Sequence, residues 1–249
     1  MPSRKATKEQ LLEDVYELKL NIPQIAEKYG YNVRSVWRAL KYRGIPYPNY
    51  FTGTSQLTSQ QREFIVGTLL GDAHMPKQGR FIRFVHGMKQ EDYLLWKADL
   101  LSGWIAPRGI EYSTHVVSGK TYPQVGFCTV THNDFGFYES LFYTPLPEHK
   151  KVITLDVLNL VTPFALAVWF MDDGSCLPKK GIRLHTAGFS WDENYLIQKW
   201  FMDSMNLKCT VAKISRGYPV LTFYSNSAKD FREIVKPYLL PSFAYKIDF

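Results

Sequence analysis

A ten-residue segment that recurs in altered form limits the possible folds of this chain more than any other feature. Phe-Ile-Val-Gly-Thr-Leu-Leu-Gly-Asp-Ala (64–73) returns 101 positions later as Ala-Leu-Ala-Val-Trp-Phe-Met-Asp-Asp-Gly (165–174), so Asp72 corresponds to Asp173. Three more landmarks follow each copy in the same order. They are a basic, strand-like stretch (Arg80 to His86; Gly181 to His185), a helix opening Glu91-Asp-Tyr-Leu-Leu-Trp-Lys or Glu193-Asn-Tyr-Leu-Ile-Gln-Lys, and two strand-like runs split by Ser118-Gly119 or Arg216-Gly217 that lead to a helix ending in Leu-Pro (146–147; 240–241). Each half therefore predicts helix, two strands, helix, two strands, helix, with half-buried strand pairs, an α+β fold. A helix that is apolar all round is buried, here against its twin, so the two acids emerge side by side where the helices end. Desolvation and the negative end of the helix dipole both disfavour ionised carboxylates there. A hard divalent cation held by Asp72, Asp173 and the backbone of Gly71 and Asp172 resolves that conflict, and oxygen-only ligation suits Mg²⁺, with Mn²⁺ as a substitute. The alternative is that each Asp caps a loop or pairs with a Lys or Arg.

Residues 1–45 form a separate pattern. Thr7 caps a helix through Leu18, with Gln10 at the capping-box position; Ile22, Ile25, Ala26 and Tyr29 mark a shorter helix stopped by Gly30, and Val36, Trp37 and Leu40 one face of a third. Arg34, Arg38 and Lys41 lie at i, i+4, i+7 on that third helix, and Tyr31 to Arg43 contains no acidic residue. The stretch Ile22 to Lys41 resembles helix-turn-helix DNA-binding domains, whose last helix enters the major groove; a solvated basic helix is the plain alternative. The composition of residues 46–57 marks a linker, and Thr58 with Gln61 opens the next helix. The expected organisation is thus a helix-turn-helix domain over 1–45, a linker over 46–57, and repeats over 58–155 and 156–249.

The 249 residues include 30 Lys+Arg and 23 Asp+Glu, a formal charge of +7, with 45% apolar residues, which excludes a disordered chain and favours a polyanionic partner. The longest apolar run, Phe164 to Met171, is too short to span a bilayer, and three cysteines without CxxC spacing form neither a disulfide framework nor a zinc site. A reducing intracellular compartment, cytoplasm or organelle matrix, is expected.

Ile65-Val-Gly-Thr-Leu-Leu-Gly-Asp-Ala and Leu166-Ala-Val-Trp-Phe-Met-Asp-Asp-Gly resemble the two motifs of single-chain LAGLIDADG homing endonucleases. The second copy is the more specific, with Thr162 as cap and Pro163 in the first turn, and Lys236-Pro-Tyr-Leu-Leu-Pro leading to Tyr245-Lys246 is also family-like. The resemblance covers residues 58–249. It implies a pseudo-twofold monomer with a duplicated αββαββα core, its motif helices central and its strands a β-saddle over the DNA major groove. Asp72 and Asp173 match the metal-binding acids, and Lys246 with Lys150 or Lys151 matches basic residues beside the active sites. Counting back from Asp173 selects Lys150, and the Leu-Pro landmark selects Lys151. Gly67 and Gly71 correspond to Val168 and Asp172, so the helix interface must be asymmetric. Ala187 stands where relatives place a polar residue, leaving His86, His185 or Thr186 to compensate.

The resemblance implies metal-dependent hydrolysis of both strands of a duplex, giving a staggered break, with the lysines adding charge near the metals. Outward strand residues are the candidates for base and phosphate contact: Lys77, Arg80, Arg83, Lys120 and Gln124 in the first half, and Lys179, Lys180, Arg183, Lys213 and Arg216 in the second. Two other functions fit the same scaffold. One is an intron-encoded maturase acting on its own intron RNA, and the other is a non-catalytic DNA-binding regulator, whose signature would be a lost acid.

Overall fold

A computed structural model describes residues 6–18, 20, 22–45, 56–77, 80–177, 181–214 and 217–247. In chain order the helices are α1 (Lys8–Leu12), α2 (Ile22–Tyr29), α3 (Val33–Tyr42), α4 (Ser59–Leu70), α5 (Glu91–Leu100), α6 (Asn133–Phe142), α7 (Leu155–Leu158), α8 (Pro163–Asp173), α9 (Trp191–Met205) and α10 (Ser225–Val235). The strands are β1 (Arg83–Gly87), β2 (Glu111–Val117), β3 (Lys120–Cys128), β4 (Gly174–Leu177), β5 (Gly181–Leu184), β6 (Cys209–Lys213) and β7 (Pro219–Phe223). They divide into two compact units, one running to Gln56 and resuming over Phe81–His132, the other taking Leu57–Arg80 and everything from Asn133 onward.

In the first unit the expected helix start forms: the Thr7 hydroxyl accepts from Gln10 N (3.2 Å) while Gln10 Oε1 accepts from Thr7 N (2.9 Å). The helix continues from α1 as a π-helical turn through Glu17. Gly30, at φ +64°, supplies the left-handed turn that ends α2. Asn32 Oδ1 then accepts from Ser35 N to start α3 (2.7 Å). Leu11, Val15, Ile22, Ile25, Val36 and Leu40 form the core of these helices. The same unit holds an antiparallel sheet in the order β1-β3-β2. Its hairpin turns through Ser118 and Gly119, both at positive φ (48° and 76°), the two-residue turn whose twist matches its strands. Phe84, Val125 and Phe127 face α5, where Tyr93, Leu94 and Ala98 are buried.

The second unit is built around α4 and α8. Both begin on the expected caps, Thr58 with Gln61 and Thr162 ahead of Pro163. Every residue from Phe64 to Leu70 and from Phe164 to Met171 is buried. An antiparallel sheet in the order β4-β5-β7-β6 packs with α9 and α10, with Leu184 paired to Leu221 and Val211 on the other side of it.

The second repeat shows the full order, α8-β4-β5-α9-β6-β7-α10. The first repeat departs from it, because the strand expected ahead of β1 is reduced to a single bridging residue, His74. Helices α6 and α10 end at Phe142 and Val235, short of the Leu-Pro pairs predicted to close them. Pro145 and Pro237 explain this, because proline cannot continue a helix without losing a backbone hydrogen bond. The first repeat is also not one compact unit. Its helix α4 joins α8, since an all-apolar helix must bury every face, whereas its sheet groups with the amino-terminal helices. The expected linker lies almost wholly outside the described residues, as do Lys179, Lys180, Arg216 and the side chain of Lys41.

Candidate active site

The packing of α4 on α8 is made possible by two glycines. A Cβ at Gly67 would lie 2.3 Å from the carbonyl oxygen of Ala165 and 2.8 Å from Val168 Cβ, and one at Gly71 would lie 2.5 Å from Asp172 Cβ and Oδ2. Val168 and Asp172 are the repeat-related counterparts of these glycines, so each missing side chain in the first motif is filled by its larger equivalent from the second. This is the asymmetry expected from the sequence.

The fit brings three carboxylates to the carboxyl ends of the paired helices. Asp172 Oδ2 accepts from Asp72 N (3.2 Å) and from the Thr68 hydroxyl (3.4 Å), and carboxylate oxygens of Asp72 and Asp172 lie within 4.8 Å of each other. Asp72 is exposed; Asp172 and Asp173 are half-buried. Burial first, and then the charges of Asp72 and Asp172, push the Asp173 carboxyl from 3.8 up to about 8, with Lys151 and Lys246 opposing. Three acids crowded at two helix C-termini therefore repel one another and gain from a shared cation.

Two ammonium groups occupy the same helix ends. Lys151 Nζ donates to the carbonyl oxygens of Gly71 (3.2 Å) and Ala73 (2.8 Å), and the buried Lys246 Nζ to those of Phe170 (3.3 Å) and Met171 (2.6 Å). Backbone carbonyls at each helix terminus thus fix each amine. Lys150 is exposed, its backbone N–H is bonded to the Thr144 hydroxyl (2.9 Å) and its charge acts on Glu193, so of the two candidates it is Lys151 that reaches the acids' end of α4. His185 donates its backbone N–H to Asp173 O (2.9 Å), and its ring nitrogen Nε2 lies 3.0 Å from the Ser175 hydroxyl. Thr186 is buried in a hydrogen bond to Asn194, Ala187 lies in the turn beyond β5, and His86 lies in the first unit, bonded to Gln90 (3.2 Å).

The donor set fits a hard divalent cation. Within the second unit it consists of carboxylate oxygens, those of Asp72, Asp172 and Asp173, which suit such an ion. Gly71 O, expected as a ligand, is already an acceptor for Lys151. The Thr68 hydroxyl bond to Asp172 had no signal in the sequence, because it links residues 104 positions apart.

Several residues expected to touch nucleic acid are exposed, among them Lys77, Arg80, Arg83, Lys120 and Lys213, while Gln124 and Arg183 are half-buried. Lys77 Nζ donates to Pro147 O (2.7 Å) and Arg80 to Asn133 Oδ1 (2.6 Å). On α3, both arginines expected on an open reading face are turned toward α5 instead. Arg34 Nη2 lies 2.5 Å and Arg38 Nη2 3.5 Å from Glu91 Oε2, an acid the sequence marked only as a helix-opening landmark. Cys128, Cys176 and Cys209 are free thiols, and no helix among the described residues is long and apolar enough to cross a membrane.

A family model described as the LAGLIDADG DNA endonuclease family matches residues 62–231. A protein named Protein RecA from Mycolicibacterium flavescens is 30% identical over 226 residues; the match covers 79% of this chain but 48% of that protein, so the chain spans about half the length of such curated relatives. DNA endonuclease I-ChuI from Chlamydomonas applanata is 28% identical over 209 residues, covering 77% of this chain and 95% of that protein. Among solved structures, that of the homing endonuclease I-WcaI bound to its DNA recognition sequence matches the fold with a TM-score of 0.69 at 24% identity, covering 81% of this chain and 91% of the other.

Proposed function

The chain belongs to the LAGLIDADG DNA endonuclease family, and from that premise we propose that it is a site-specific, Mg²⁺-dependent endonuclease that hydrolyses one phosphodiester in each strand of a duplex target, leaving a staggered break. The observation that carries this reading is the pairing of Asp72 and Asp173 at the ends of α4 and α8 with an anchored ammonium at each end, Lys151 and Lys246. The endonuclease name of the Chlamydomonas applanata relative and the DNA-bound state of the matched structure support duplex DNA as substrate.

Divalent cations held by Asp72, Asp173 and Asp172 would supply Lewis acidity toward the scissile phosphate and a water of lowered pKa. Lys151 and Lys246 add fixed positive charge where the pentacovalent transition state gains negative charge, and their carbonyl anchors keep that charge in place without reorganisation. The three acids are committed to the cations and do not act as general bases. Lys77, Arg80, Arg83, Lys120, Gln124, Lys179, Lys180, Arg183, Lys213 and Arg216 contact phosphates and base edges, residues 1–45 form an appended DNA-binding module, and the protein works as a monomer.

The test is to incubate the protein with a plasmid library carrying candidate insertion loci, in Mg²⁺ or Ca²⁺, beside Asp72→Asn and Asp173→Asn. Wild type is expected to bind a site in either ion and to cut both strands in Mg²⁺, and each variant to lose double-strand cleavage while retaining binding. Tight, site-specific binding that leaves both strands intact in Mg²⁺ would favour the regulator instead.

A further inference from the structure

Glu91 is the first residue of α5, and its side chain is 1% exposed. Three groups converge on it. Oε2 faces the guanidinium of Arg34 at 2.5 Å and that of Arg38 at 3.5 Å, and Oε1 accepts from the Tyr112 hydroxyl on β2 at 2.7 Å. Arg34 Nε also reaches Asp92 Oδ1 at 3.7 Å. One buried carboxylate thus ties together α3, α5 and the edge strand β2. A buried charge is tolerated only while its partners stay in place, so such a cluster favours one arrangement of the elements it joins over all others. The arginines involved are those the sequence offered to DNA. Arg34 is committed to the clamp, whereas Arg38, 59% exposed, still presents charge to solvent.

We propose that Glu91 is a positioning residue that locks the amino-terminal helices onto the β1-β3-β2 sheet, so that the module reads DNA beside the first half-site at one fixed spacing. The proposal rests on the endonuclease reading above. It differs from a module on a tether. Were the roughly ten residues between Ile45 and Gln56 the sole connection, a coil of that length would reach about 18 Å, enough to follow a shift of about 5 bp along a duplex rising roughly 34 Å per 10 bp turn. A module clamped through Glu91 cannot follow, because the same shift also turns the flanking groove to the opposite side of the duplex.

The experiment uses the full chain and duplexes selected by it from a random-sequence library. Protection mapping on a selected duplex defines a core and a flank, and a second duplex carries an insertion of about half a helical turn between them. Wild type is expected to protect flank on one side of the core only and to lose at least about tenfold in affinity for the inserted duplex, while cutting the core at unchanged positions. Glu91→Gln is expected to keep core protection and cutting positions but to narrow the insertion penalty to within about threefold. A purely structural role would lower melting temperature and affinity for both duplexes alike, leaving the penalty intact. Tolerance of the insertion by wild type, or a full penalty in Glu91→Gln, overturns the proposal while leaving the endonuclease reading standing. Absence of any core protection or cleavage overturns both. If Glu91→Gln does not fold, the wild-type insertion result decides, with Tyr112→Phe, which removes only one hydroxyl from the clamp, expected to give an intermediate penalty.

Discussion

Substituting Gly67 with alanine probes the helix pairing on which the whole site depends. The new Cβ would stand 2.3 Å from Ala165 O and 2.8 Å from Val168 Cβ, about 1 Å inside an ordinary carbon–oxygen contact. Ala165 O is backbone and cannot rotate away, so α4 and α8 must separate by a comparable amount. Overpacking of this kind costs about 1–3 kcal/mol, and the higher helix preference of alanine offsets up to about 1 kcal/mol of it. A net loss of about 2 kcal/mol corresponds to a drop in melting temperature of roughly 4–8 °C for a chain of this size. Gly188→Ala is the control, because no atom lies within 4 Å of a Cβ there. The same separation widens the gap between Asp72 and Asp173, and a displacement of about 1 Å in a positioned catalytic group costs up to about a hundredfold in rate. Thermal melts of wild type and both variants, with single-turnover cleavage of a selected duplex, provide the readout. If Gly67→Ala melts at or above wild type and cuts as fast, the helices do not meet backbone to backbone at this position and the account of the site fails.

Other perturbations address the charges. The Asp173 carboxyl is raised from 3.8 to about 8, so without divalent ions the folded state keeps its proton where the unfolded chain has lost it; stability is greatest below the lower value and falls as pH rises toward 8. That span, at about 1.4 kcal/mol per unit, bounds the loss near 6 kcal/mol. Across melts in chelator from pH 4 to 8, wild type is expected to lose stability relative to Asp173→Asn as pH rises, and Mg²⁺ or Ca²⁺ to reduce that loss; a difference between the two proteins that does not grow with pH contradicts the raised carboxyl. Lys151→Met is expected to slow cleavage by about 10²–10³-fold while Lys150→Ala stays within twofold of wild type, as measured by single-turnover kinetics; the opposite order would assign the anchored amine to the wrong residue. Lys246→Met is expected to match Lys151→Met in rate and, being buried, to lower the melting temperature as well.

The sequence by itself determined much of the local structure of the chain and which acids stand at the ends of its two motif helices. The capping pairs Thr7 with Gln10 and Thr58 with Gln61 form as read, because their hydrogen bonds span three residues and depend on nothing distant. The uniformly apolar motifs had to become buried helices, and the terminal acids of those helices had to approach each other. Boundaries were less legible, since the helices leading to the Leu-Pro pairs stop early and the strand before β1 shrinks to His74. Tertiary structure decided the long-range pairings. Lys150 and Lys151 are neighbours of the same type, and only the path of the chain into its bridge with Tyr143 carries Lys151, rather than Lys150, to the end of α4. Arg34 and Arg38 read as a DNA-facing pair because nothing within helical range opposes their charge, yet Glu91, more than fifty positions away, claims both. The split of the first repeat between two units has the same origin: α4 is held by apolar surface packed against α8, and which surfaces meet is settled by packing among residues far apart in the chain.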